Sequence, residues 1–183
     1  MKENKIKQIT ILSAFIALAC ILSMLDRTLS KLIIVLLPYV GALAPSLKLG
    51  IANIVIIIII YKYDFKWSLL AVVLKCLIAG LLYSGLINFV IGITGTLLSF
   101  FITILLKHVI KKEIFIPFIS VVASIVHMLG QISAASLIYQ TTEMWIYSPF
   151  LFLTAATSGV IVGLISLGVL KLLFLKKGDM ENE

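Results

Sequence analysis

The chain is a succession of apolar blocks, most of them long enough to cross a bilayer, and that pattern limits its fold more than any other feature. The densest block, IANIVIIIIIY, occupies residues 51–61. Such blocks lack the three-to-four-residue alternation of a helix laid against a soluble core. Hydrophobic residues make up 62% of the 183, charged residues only 13%, and the mean hydropathy is +1.21. That leaves too few polar side chains to cover a soluble domain of this length. The composition therefore points to an integral membrane protein.

A spanning helix needs about 20 mostly apolar residues, with a range of about 17–25. Six spans are expected, over residues 8–25, 47–62, 67–84, 87–108, 114–138 and 146–174, forming one all-α bundle and a single domain over 1–183. Between the first two lies TLSKLIIVLLPYVGALAPS, residues 28–46, interrupted by Pro38, Gly41 and Pro45. It reads as a re-entrant or capping loop, with a seventh short helix as the alternative. The basic, then apolar, N-terminus has the outline of a signal peptide. No A-x-A cleavage site follows it, so it is expected to stay as the first span.

Six spans place both termini on one side. If that side is the cytoplasm, the outer segments hold Arg27, Lys31 and Lys48, the membrane holds Lys75, and the other eleven of the fifteen basic residues lie inside. This is the asymmetry of the positive-inside rule and gives a multi-pass protein of the cell membrane with cytoplasmic ends. The net charge of +7 sits in short connectors between apolar blocks, so it is no nucleic-acid footprint. Cys20 and Cys76 fall inside apolar blocks and read as packing residues.

Small residues recur at helical spacing: Ser13, Ala17 and Cys20 in the first span, Gly92, Gly95 and Ser99 in the fourth, Gly159 and Gly163 in the sixth. Such faces let backbones approach where lipid supplies no hydrophobic drive for association. Packing within the chain is the expected role of the latter two. The first-span face equally suits another subunit.

A lysine at the centre of a membrane helix costs about 2.5–3.5 kcal/mol on insertion scales, so each intramembrane polar residue needs a reason. Lys75 lies near the middle of the third span, Asn53 in the second, and His127 with Gln131 one turn on in the fifth. Asn88 starts the fourth span, and Thr154, Thr157 and Ser158 occupy the outer half of the sixth. With the orientation above, all lie between the midplane and the outer surface, a polar pocket floored by aliphatic residues with Lys48 at its mouth. Asp26 and Glu143 are the outer acids, both placed near the surface, so no membrane carboxylate is expected beside Lys75. The counter-ion would then be an incoming anion. Histidine satisfied by a backbone carbonyl, and amides acting as interhelical glue, are the structural alternatives for His127, Gln131 and Asn88.

No D-D-x-x-D pair, G-x-S-x-G, H-E-x-x-H or Walker A loop is present, so neither catalysis, a metal site nor ATP hydrolysis is expected of this chain. A binding subunit powered by a partner fits what is left.

The order SAFIALA, PSLKLGIANI, LKCLIAGLLYSG, GITGTLLSF, HMLGQ and SGVIVGL, over roughly residues 10–172, resembles the membrane family called heptaprenyl diphosphate synthase component I or Gx transporter. That family is grouped with the substrate-binding S components of energy-coupling factor (ECF) transporters. The resemblance implies a six-helix subunit without a cofactor of its own that captures a vitamin-like solute from outside. It also implies as partners an energy-coupling transmembrane subunit and two ATPases, and a toppling motion that releases the cargo. The family docks through an A-x-x-x-A face on its first helix, for which Ser13, Ala14 and Ala17 are the nearest match here. The expected solute is small, anionic and partly apolar: a vitamin, an isoprenoid or quinone precursor, or a tetrapyrrole with His127 as ligand. The competing expectation is a non-transporting accessory of a soluble prenyl diphosphate synthase.

Overall fold

Isoleucine and valine favour strands in water, yet in lipid an unpaired backbone amide costs several kcal/mol, which leaves the helix as the form available to a single apolar segment. The computed structural model, which describes residues 2–36, 50–83 and 85–180, is accordingly helical. Its α-helices are α1 (Lys2–Leu36), α2 (Ile51–Lys62), α3 (Phe65–Tyr83), α4 (Gly85–Val109), α5 (Ile116–Tyr139) and α6 (Ser148–Met180), with short 3-10 turns at Glu113–Phe115 and Glu143–Trp145. No strand occurs among the described residues.

Four segments are long and apolar enough to cross a membrane: Ile6–Asp26, Gly85–Val109, Glu113–Tyr139 and Ser148–Leu173. Their outward side chains fit that setting, with Leu86 75% and Leu137 79% exposed. The 12-residue α2 is about 18 Å long at 1.5 Å per residue, short of the roughly 30 Å hydrocarbon layer.

The uniform apolarity of α2 has a direct structural counterpart. Val55 through Ile60 are all buried, which makes α2 the helix the others surround. Val55, Ile56, Ile59 and Ile60 pack with Leu12, Ile16 and Ala19 of α1, Ala71 and Val72 of α3, and Phe100 of α4. Ile57 and Ile58 turn the other way, onto Ile116, Val162 and Leu170. The most extensive contacts are those of α5 with α6 and with α4. The N-terminal half of α1 and the C-terminal half of α6 therefore lie at the same end of the bundle as the C-terminus of α2.

At that end Lys107 of α4 donates a 2.6 Å hydrogen bond to the Ile60 carbonyl, and its ammonium sits 5.0 Å above the Tyr61 ring. A cation at a helix C-terminus meets both the orphan carbonyls and the negative end of the dipole. Lys107→Met should cost about 1.5–3 kcal/mol, the range for a hydrogen bond to a charged group, read as a lower thermal unfolding temperature in detergent.

Helix limits differ from the sequence expectation chiefly in α1. The first span is expected over 8–25, with a loop from residue 28, but the helix continues to Leu36. Apolarity reports depth in lipid, not the end of the helix, and no residue that breaks a helix intervenes before Pro38. The rest of the expected loop, residues 37–46, and Lys48 lie outside the described residues.

Candidate functional site

Two short-range features bring the polar residues together at the other end of the bundle. The first is the entry to α2. Gly50 adopts the left-handed conformation (φ 69°), where glycine carries no steric cost, and its N–H donates a 3.0 Å hydrogen bond to Oδ2 of Asp26 on α1. That bond sets the α2 N-terminus against α1 and directs Asn53 inward.

The second feature is the approach of α4 to α5. A Cβ on Gly95 would stand 2.6 Å from the His127 carbonyl oxygen and 2.7 Å from Gln131 Cγ. Only glycine permits this spacing, so the small face of α4 is what seats His127 and Gln131. Gly92, one turn earlier, has nothing within 4 Å where its Cβ would be. Its missing side chain leaves open space.

That space belongs to a cavity of about 120 Å³ lined from all six helices. Asp26 and Ser23 contribute from α1, Asn53 from α2, Lys75 and Cys76 from α3, Asn88 and Gly92 from α4, His127 and Gln131 from α5, and Ser158 from α6. Ala52, Ala79, Ile93, Met128 and Ala155 give it an apolar side. Among the described residues the Lys75 ammonium makes no hydrogen bond or ion pair, whereas Asn88 and His127 do have partners within the protein.

Lys75, Asn53, His127, Gln131 and Asn88, separate in sequence, thus share one cavity. Thr157 does not join them. It is exposed, and its hydroxyl donates to the Thr154 carbonyl of its own helix. Its neighbour Ser158 takes the lining position. A helix apolar on every side gives no signal for rotation, and an error of one residue turns a side chain by about 100°.

The larger correction concerns charge. From sequence Asp26 belongs near the surface and Lys75 lacks any carboxylate companion. In the structure Asp26 is only 5% exposed and lines the same cavity as Lys75. The misplacement follows from ending the first helix at residue 25. Once α1 continues to Leu36, Asp26 is an interior residue of a helix, and an acid inside an apolar stretch is a signal of the same kind as Lys75. Among the described residues, no three His, Cys, Asp or Glu side chains are grouped to hold a metal ion.

Ser13, Ala14 and Ala17 lie exposed on α1, away from the buried Leu12, Ile16 and Ala19. Cys20, expected on the same face, is buried instead.

A bundle of long apolar helices around a small polar chamber defines a helical membrane protein with an internal site. The family model described as heptaprenyl diphosphate synthase component I matches residues 15–169, and the chain belongs to that family. No curated protein and no solved structure matches it.

Proposed function

We propose that the chain is the solute-binding S component of an energy-coupling factor type transporter, set in the cell membrane by six spans with both termini cytoplasmic. The observation that carries this reading is the cavity itself. All six helices contribute to it, it contains the Lys75 ammonium, which makes no hydrogen bond or ion pair among the described residues, and it lies at the end opposite the lysine-bordered one. A polar lining inside an apolar bundle is costly to build, and a solute that meets the Lys75 ammonium offsets part of that cost. The positive-inside asymmetry turns the cavity toward the exterior, from which an uptake subunit loads. Transport energy comes from partners, an energy-coupling membrane subunit and two ATPases.

The exposed Ser13, Ala14 and Ala17 face of α1 is the docking surface for the coupling subunit in this reading. Ala17→Trp should abolish co-purification of that subunit while solute capture by the isolated chain is unchanged. Retention of the partner by the Trp variant would remove the assignment of this face.

The reading as a whole is tested by tagging the chain in its native membrane and identifying what comes with it. A coupling subunit and ATPases support it. A soluble prenyltransferase in their place would favour the accessory role.

A further inference from the structure

We infer that the cavity takes a short monocarboxylate, its head held by Lys75, Asn53 and Gln131 and its tail in the space that Gly92 leaves open. The inference rests on the cavity being a solute site and adds the chemical class and the residue that limits its size.

The head follows from which lining groups are still open. Asp26 accepts the Gly50 N–H and has a further interaction, Asn88 and His127 have partners of their own, and the Ser158 hydroxyl donates to the Ala155 carbonyl. Among the described residues the Lys75 ammonium and the side-chain amides of Asn53 and Gln131 make no hydrogen bond. These three come from α3, α2 and α5, are all half-buried, and line one cavity. The ammonium and both amide NH2 groups can donate. Donors held away from water without a partner are costly, a charged one most of all. A carboxylate only accepts, has about four lone-pair sites, and carries the one negative charge that balances one ammonium.

The tail follows from Gly92. Glycine inside a helix is disfavoured relative to alanine, so each such glycine needs a reason. Packing supplies one for Gly95, Gly130, Gly159 and Gly163, where a Cβ would stand less than 3.0 Å from a neighbouring atom. It supplies none for Gly92, which lines the cavity with nothing within 4 Å of its Cβ position. What the missing side chain preserves there is room. At about 30 Å³ for each water of the liquid, about 120 Å³ holds about four waters. That is space for on the order of five heavy atoms, a carboxylate with a tail of about two carbons. Ala52, Met128 and Ala155 give the tail an apolar wall. Pockets that enclose drug-sized ligands run to about 300–1,000 Å³, so a tetrapyrrole or a polyprenyl chain does not fit inside.

Four probes test this on the purified full chain in detergent: acetate, propanoate, hexanoate and propanamide, compared at matched ionic strength by the rise in thermal unfolding temperature with concentration. The wild type should respond to propanoate at a concentration at least about tenfold below that needed for propanamide, which has the same shape without the charge. Hexanoate, with its longer tail, should need at least about tenfold more than propanoate. Lys75→Gln should abolish the advantage of propanoate over propanamide. Gly92→Ala should shift preference from propanoate towards acetate by about tenfold, because its methyl takes the place of one carbon of the tail. Without solute the same variant should unfold at an equal or higher temperature, the opposite of what a glycine needed for packing would show. If either variant fails to fold, the order of the four probes on the wild type still decides. Equal response to propanoate and propanamide, response to none of the four, or an unchanged ratio of propanoate to acetate in Gly92→Ala would overturn the inference. Coupling subunits are not needed for this measurement, so the ligand class and the transporter assignment fail separately.

Discussion

Lys75→Met is expected to lower solute capture by about 10- to 100-fold while the chain stays folded. Methionine keeps most of the length and apolar volume of the lysine stem and removes only the charge. A hydrogen bond to a charged group contributes about 1.5–3 kcal/mol, and each 1.4 kcal/mol is a factor of ten in affinity. Stability should not fall in parallel, because a lysine, even half-buried, inside an apolar bundle is itself unfavourable. No hydrogen bond or ion pair among the described residues is lost with it. The measurement is the solute content bound from a metabolite extract by immobilised wild type and variant, with thermal unfolding of both as the control. Equal solute content would remove Lys75 from the site. A steep loss of stability would make it a structural residue.

Gly163→Ala is the second large effect, and its sign is set by two opposing terms. Alanine is favoured over glycine inside a helix by about 1 kcal/mol. Against this, a Cβ at position 163 would meet the backbone Cα of Pro117 and stand 2.9 Å from Ser120 Cβ. Backbone cannot rotate aside as a long side chain can, so α5 and α6 must separate along their most extensive contact. Overpacking of this kind costs about 1–3 kcal/mol and outweighs the propensity gain. Gly168 lies on the same helix with nothing within 4 Å of its Cβ position. Gly168→Ala should therefore be neutral or stabilising. Thermal unfolding of both variants in detergent checks the pair, and equal effects at the two positions would show that close approach is not what glycine provides at 163.

These two substitutions also show what can be read from the sequence. The glycine spacing of α6 is visible as letters because lipid gives helices little reason to approach other than small residues. Lys75, Asn53 and His127 stand out for a similar reason, each a lone polar residue in an apolar run. That they share a cavity follows from the central burial of α2, which brings α1, α3, α4 and α6 around one axis. Rotation about each helix axis is another matter. The sequence offers Thr154, Thr157 and Ser158 alike, yet of the three Ser158 lines the cavity, because α6 is apolar on every side and its pattern has no preferred direction. Asp26 was hidden by a different confusion, between leaving the greasy stretch and leaving the helix. Its carboxylate places a buried acid in the lining of the cavity that also holds Lys75.

Native mass spectrometry of the chain extracted with its partners from the membrane puts the solute-binding role to the most direct test. The expected spectrum shows the chain with a membrane coupling subunit and two ATPases, carrying one small-molecule adduct that the Lys75→Met form lacks. A chain that carries no adduct, or one equally present in the Lys75→Met form, would contradict a role in solute capture.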